Sequence, residues 1–316
     1  MDRSGWILYE SADARKNSWF IEKLQSELNP YRLELVYTDY IAQAYDSVRD
    51  DEEMVNRMLK SRDMPAFIIN RSRNADIANG FEEKGVRIFN PSEVTRIGND
   101  KDLSYELADK LGIPYMPYIT IDGMVLNPLI PIDEDRSFKE TECFKGISRI
   151  ADDYGYPLVL KPSDGHGGRH VFLIRDEDEL HAAIQEIMRT FRLRPYKKLL
   201  LQRPCDTVGR DLRIYLLGNE IITGMLRCAE DDGDFRANFS LGGTASIATP
   251  TRQERFIAGE LAEALPSDFI GVDIIYDKGG PVFNEIEDAV GSRMLYTYTD
   301  IDIVKMFADH ILRALS

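Results

Sequence analysis

Three cysteines, Cys143, Cys205 and Cys228, are all that 316 residues contain, and no two of them form a C-x-x-C pair. That excludes a disulfide framework and a zinc knuckle and fits a reducing compartment. Positive charge is also short, since 39 Lys and Arg against 54 Asp and Glu leave a net charge of −15. A field of that sign repels nucleic-acid phosphates and anionic membranes, so neither is an expected partner, and an anionic ligand needs a local basic pocket. No stretch approaches the ~20 apolar residues of a membrane span, and the opening MDRSGWILYE lacks a basic segment followed by a long apolar run. A cytoplasmic location is the expectation. Two phosphate-cradling loops are missing as well. No G-x-G-x-x-G follows the first predicted strand and no G-x-x-x-x-G-K-[ST] occurs, so neither a Rossmann dinucleotide site nor a P-loop is indicated. The remainder, 43% hydrophobic and 29% charged, is the composition of an ordinary globular chain with room for two domains or several lobes around one cleft.

The first ninety residues alternate short apolar runs with helical spacing. WILY, LELVY, AFII and VRIF read as strands, and SWFIEKLQSEL places Phe20, Leu24 and Leu28 on one helical face, a βαβ rhythm that favours a parallel sheet. A helix is predicted from Asn99 or Asp100 to Gly112, capped at both ends. Thr120 to Tyr156 shows no clear period and reads as linker and surface loop. From Pro157 the pattern becomes antiparallel: LVLK, a glycine-rich turn and RHVFLI, then a helix from Asp176 to Phe191. LLLQ opens a third section with a hairpin at Gly218-Asn219, a helix capped by Thr251 and Glu254, the hairpin GVDIIY/PVFNEIE and a closing helix from Ile303. The expected division is 1–97, 98–196 and 197–316.

Three places carry chemistry. Lys161 stands at a strand end before Gly165, Gly167 and Gly168, so a cation lies beside backbone that an anion can approach; glycines there also serve a plain hairpin turn. His166 and His170 flank this loop without a third ligand at metal spacing. In the last hairpin, Glu285 and Glu287 are two apart and share a face. A three-residue turn sets Asp273 opposite Glu285, whereas a two- or four-residue turn puts them on opposite faces. Like charges facing each other call for a cation, and oxygen donors without His or Cys suggest Mg²⁺ or Mn²⁺ held with substrate phosphates; scattered surface acids are the alternative. Arg236 sits in a polar, glycine-flanked stretch suited to closing over a site, though alone it would pass for an exposed hairpin tip. Arg71 and Arg73 follow the third strand, where parallel strands open onto a crevice, though taken singly that pair reads as plain surface charge.

In this order the elements resemble the ATP-grasp superfamily, most closely its RimK-like carboxylate–amine ligases, which add glutamate to protein or peptide ends. The resemblance runs from about Ile68 onward and is most specific in GRDLRIYLLGNEIITGMLR with GDFRANFSLGGTASI, and in GVDII with FNEIE. It implies an α/β fold of ATP-grasp type, with an N-terminal Rossmann-like βαβ lobe and two α+β lobes clasping ATP. Carried over, it implies that Lys101 and Lys161 reach the ATP phosphates and that Gln202, Arg203, Pro204 and Cys205 form the hinge at the adenine. Asp211 falls where an acid meets the ribose, with Arg213 beside it among the nucleotide-binding residues. Arg236 and Asn238 fall where the family meets transferred phosphate and the metal shell, Arg236 and Lys161 being the catalytic pair. Asp273, Glu285 and Glu287 fall on the metal positions; Arg71, Arg73 and Arg293 are the candidates for substrate.

This chain departs from the family in having Arg203 where a hinge glutamate is usual, Glu287 where relatives carry asparagine, and Ala289-Val290-Gly291 for a Ser-Pro-Gly loop. The implied activity is ADP-forming amide synthesis through an acylphosphate, with ATP and Mg²⁺ (or Mn²⁺) as cofactors and a carboxylate plus an amine, an amino acid or peptide, as partners. A homo-oligomer is left open. The rivals are a phosphotransferase using the same cleft and a nucleotide-binding regulatory protein.

Overall fold

The computed structural model describes residues 4–39, 51–60, 62–122, 138–166, 170–191, 198–229 and 244–316. Four parallel strands come first: β1 (Ser4–Tyr9), β2 (Arg32–Tyr37), β3 (Phe67–Asn70) and β4 (Arg87–Phe89), in the order β2-β1-β3-β4. Their runs are apolar without alternation because both faces are covered, as parallel sheets require. Helix Ser18–Glu27 sets Phe20, Ile21 and Leu24 against Ile7, Phe67 and Ile69 on one face, and Trp6, Leu8 and Ile68 meet helix Ala75–Glu82 through Ile77 and Phe81 on the other. Burying each of the large side chains contributes roughly 1.5–3 kcal/mol. Gly5 is required by this packing, since a Cβ there would lie 2.2 Å from the Phe67 ring.

The second sheet is antiparallel and runs β5-β8-β6-β7, from β5 (Tyr118–Asp122), β6 (Leu158–Pro162), β7 (Phe172–Ile174) and β8 (Lys198–Gln202). Helices Glu142–Tyr154 and Glu177–Phe191 share one core with it through Phe144, Ile147, Ile184 and Ile187. Two expectations are corrected here. The segment read as linker holds β5 and the Glu142–Tyr154 helix, which Thr141 caps by accepting from the Phe144 N–H; its polar outer face hid the buried stripe. The LLLQ strand, grouped with the third section, pairs instead with β5 and β6.

The third sheet is antiparallel in the order β11-β10-β9-β12-β13, from β9 (Thr207–Leu217), β10 (Glu220–Cys228), β11 (Thr244–Ala248), β12 (Phe269–Asp277) and β13 (Gly280–Glu287). Gly218, at φ +56, turns β9 into β10 as the Gly-Asn pair predicts. One face packs on helix Arg252–Ala264, whose capping box of Thr251 and Glu254 is formed. The other joins the first lobe in a single core that takes in Phe269, Tyr215 and Phe307 of the closing helix Ile303–Ala314. Asn90, just past β4, ties these parts together. Its amide donates to the carbonyls of Phe269 and Asp288 at 3.0 and 2.8 Å and accepts from the N–H groups of Asp268 and Phe269 at 2.7 and 2.9 Å. No helix among the described residues is long and apolar enough to cross a membrane.

Candidate active site

The ends of β6 and β13 and the interiors of β9 and β12 converge with the start of helix Lys101–Lys110. Asp100 caps that helix by accepting from the Asp102 N–H, and the Lys101 N–H donates to the Ser163 carbonyl at 2.8 Å, which fixes the helix start to the turn after β6. Lys101 Nζ then reaches the Gly165 carbonyl at 2.6 Å and Glu285 at 3.2 Å. Burial works against its charge, but Glu285, Tyr105 and Glu287 together outweigh that and raise its pKa. Lys161, on β6, is buried beside it with Nζ 3.0 Å from the Tyr105 hydroxyl and 3.4 Å from Asn284 Oδ1. Burial, aided by the charge of Lys101, brings its pKa down to about 7. The two lysines named from the sequence therefore face one centre, one fully charged and one near its titration point.

The hairpin reaches the same centre by a route the sequence reading did not choose. Asp277 pairs with Gly280, so the turn has two residues, which alone would put Asp273 and Glu285 on opposite faces. A bulge between Asp273 and Ile274 leaves Asn284 as an extra residue and restores the pairing of Asp273 with Glu285. The carboxylates do share a face, but each has a cation. Arg213 donates Nε and Nη2 to the two oxygens of Asp273 at 2.7 and 2.6 Å, and Arg227 gives Asp273 a further bond of 2.6 Å. Arg227 also holds Asp211 through two bonds of 2.5 Å, and Arg213 lies 3.6 Å from Glu287. Burial disfavours the Asp273 anion, yet the two arginines hold its pKa well below the usual carboxylate range. Glu287 goes the other way, raised first by burial and then by Glu285 and Asp273 despite Arg213.

Other predicted residues are placed with varying directness. Gln202 is buried and turned inward, donating to the Met116 carbonyl and the Tyr105 hydroxyl at 3.1 and 3.2 Å. Arg203 is exposed, with its guanidinium over the Tyr154 ring, while Pro204 and Cys205 are half-buried in the link from β8 to β9. Arg71 is no surface charge. It is 6% exposed, lies over Phe20, and donates to the Tyr9 hydroxyl and the Val290 carbonyl, so it clamps the first lobe to the segment after β13. Arg73, at φ +58, donates to Asp13, and its buried Nε has no hydrogen-bond partner among the described residues. Arg293 donates to the Lys16 carbonyl. Gly167, Gly168, Arg236 and Asn238 lie outside the described residues. Tyr105, Arg227 and Asn284 were missed. Tyr105 and Arg227 stand inside predicted elements as ordinary core-facing positions, and Asn284 acquires meaning only through the bulge.

Residues 131–311 match the RimK-like ATP-grasp domain. The chain belongs to that family. Over 187 residues it is 31% identical to N-acetylaspartylglutamate synthase A of Homo sapiens, covering 59% of this chain and 46% of that protein. Over 166 residues it is 36% identical to the ribosomal protein bS6–L-glutamate ligase of Salmonella paratyphi B, covering 50% of this chain and 54% of that one. The chain thus spans about half the length of these curated relatives. Among solved structures, the D-cycloserine synthetase DcsG superposes with a TM-score of 0.67 at 15% identity over 99% of this chain and 100% of its own. The ATP-grasp ligase PsnB, solved with a precursor variant, Mg and ADP, superposes with a TM-score of 0.63 at 14% identity over the whole of both chains. These likenesses show the ATP-grasp fold.

The donor set around Glu285 fits a hard cation. It is all oxygen, and Glu285 and Glu287 are partly exposed, so a cation can reach both carboxylates. Among the described residues no three His, Cys, Asp or Glu side chains form a ready-made cage, because Asp273 is turned to its two arginines.

Proposed function

We propose that the protein is an ATP-dependent carboxylate–amine ligase that joins an amino acid or peptide to a second substrate through an acylphosphate. The observation that carries the reading is the convergence of Lys101 and Lys161, from different elements, on neighbouring residues of β13, Lys101 3.2 Å from Glu285 and Lys161 3.4 Å from Asn284. Two cations and an oxygen-donor cluster at one point suit a nucleotide triphosphate with its divalent ion, and suit little else.

In this reading the three sheets are three lobes divided near residue 97 and at the hinge after Gln202, and the nucleotide lies between the second and third. Lys101 and Lys161 neutralise its phosphates, the 202–205 segment borders the base, and Asp211, held by Arg227, meets the ribose. Glu285 and Glu287 hold Mg²⁺, with Asp273 as the inner third carboxylate that the arginines orient. Bound there, the ion supplies charge neutralisation for phosphoryl transfer. A substrate carboxylate oxygen attacks the γ-phosphorus and ADP leaves. The amine then attacks the acyl carbon, phosphate leaves, and the nitrogen gives up a proton as the amide forms. Arg71 serves this site by clamping the first lobe, while Arg73, with its unpartnered Nε, and Arg293 border the side from which substrate enters. Arg236 and Asn238 belong to the transferred phosphate. The same reading sets the protein in the cytoplasm, where ATP is supplied.

Hydroxylamine provides the test. With ATP, Mg²⁺ and a carboxylate that stimulates ADP release, it intercepts an acylphosphate as a hydroxamate. ADP release accompanied by a stable phosphate ester and no hydroxamate would identify a phosphotransferase, and ATP binding with no ADP release across acidic amino acids and peptides would identify a regulatory nucleotide binder.

A further inference from the structure

The bulge in β13 has a second consequence. It places one extra residue, Asn284, between Glu285 and Phe283, and that residue turns its amide oxygen to Lys161 at 3.4 Å. Lys161 Nζ is the donor in this contact, and the amide oxygen is the acceptor that faces it. From the other side comes Tyr105, one turn along the helix that Lys101 opens, with its hydroxyl 3.0 Å from the same nitrogen. The Gln202 amide donates to the Met116 carbonyl, and this fixes its NH₂ end toward the phenol as well. Tyr105 therefore presents its oxygen as acceptor to both Lys161 and Gln202. Its ring is immobilised, stacked on Tyr115 with centroids 5.3 Å apart and tilted against Tyr118 at 4.9 Å.

Resting on the ligase reading above, we propose that Tyr105 and Asn284 are positioning residues that hold the Lys161 ammonium ready for a nucleotide phosphate. A free lysine side chain carries about 2 kcal/mol of rotamer entropy, and holding it in place before binding removes much of that cost from the binding step. The bulge gives up regular ladder pairing at this point, and what stands in its place is the Asn284 acceptor for Lys161 together with the pairing of Asp273 and Glu285. Tyr105 further ties the lysine to Gln202 at the end of β8, so the position of the cation depends on that of the hinge.

The experiment titrates ADP and, separately, adenosine into the wild-type protein, Tyr105→Phe, Asn284→Leu, Lys161→Met, and the first two changes on the Lys161→Met background. Tyr105→Phe keeps the ring stack, and adenosine binding reports an intact site. Each single change is expected to weaken ADP about five- to tenfold, a part of what one hydrogen bond to a charged group contributes, while leaving adenosine unchanged. On the Lys161→Met background neither change is expected to weaken ADP further, because both act through the missing ammonium. Equal weakening of ADP and adenosine, unchanged ADP affinity, or the same loss on the Lys161→Met background would overturn the proposal in favour of packing alone. A wild-type protein that binds neither compound would overturn the ligase reading, and this inference with it.

Discussion

Replacing Lys161 by methionine separates what the buried ammonium does for function from what it does to stability. The side chain ordinarily titrates at 10.5, and burial, with Lys101 nearby, brings it to about 7. That difference penalises the folded charged form by on the order of 5 kcal/mol. The unfolded chain keeps the proton up to 10.5 while the folded chain releases it near 7, so between those values the unfolded state binds more protons and stability rises with pH. Below pH 7 the whole penalty is present; at pH 9 about 2 kcal/mol of it remains. Lys161→Met removes this term and also leaves the Tyr105 hydroxyl and Asn284 without their lysine, a loss of about 1–3 kcal/mol that does not depend on pH. The sign of the net change at any one pH depends on that balance, but its slope does not. The stability of the variant relative to wild type should fall by about 3 kcal/mol from pH 6 to pH 9. Urea unfolding of the nucleotide-free proteins at the two pH values measures it. A difference that stays constant, or grows with pH, refutes the burial argument.

Three further outcomes follow from the carboxylates and their cations. Glu285→Gln should fold normally, free Lys101 from its 3.2 Å partner and abolish Mg²⁺-dependent ADP release; full turnover in a folded variant would remove Glu285 from the metal site. Glu287→Asn takes away a half-buried carboxylate whose pKa is raised first by burial and then by Glu285 and Asp273, so the Mg²⁺ concentration for half-maximal activity should rise, and an unchanged requirement would mean that Glu287 does not reach the ion. Arg227→Met strips Asp211 of both its bonds and Asp273 of one, and leaving buried carboxylates uncompensated should cost about 3–5 kcal/mol. A shift in the unfolding midpoint worth less than about 1 kcal/mol would show that water reaches this cluster.

Local pattern decided much of this protein. Unbroken apolar strands such as WILY and AFII announced a sheet covered on both faces, and the caps at Asp100 and Thr251 are short-range hydrogen bonds that a few adjacent residues specify. Lys161, Glu285 and Glu287 were legible because charged residues beside glycines or within apolar strands are costly unless used, whereas Lys101 was implied only by the family resemblance. Other features depended on partners far along the chain. The facing of Asp273 and Glu285 arose from a two-residue turn and a bulge, and register is a property of two paired strands rather than of either one. Asp273 looked like an open ligand until Arg213 and Arg227 arrived from β9 and β10, 60 and 46 residues away. Arg71 looked like surface charge until the segment after β13 covered it, 219 residues later. Spacing along one strand reveals which side chains share a face, but which opposite charge stands across from them is settled only when the sheet is assembled, because a buried ion pair draws its two members from separate strands.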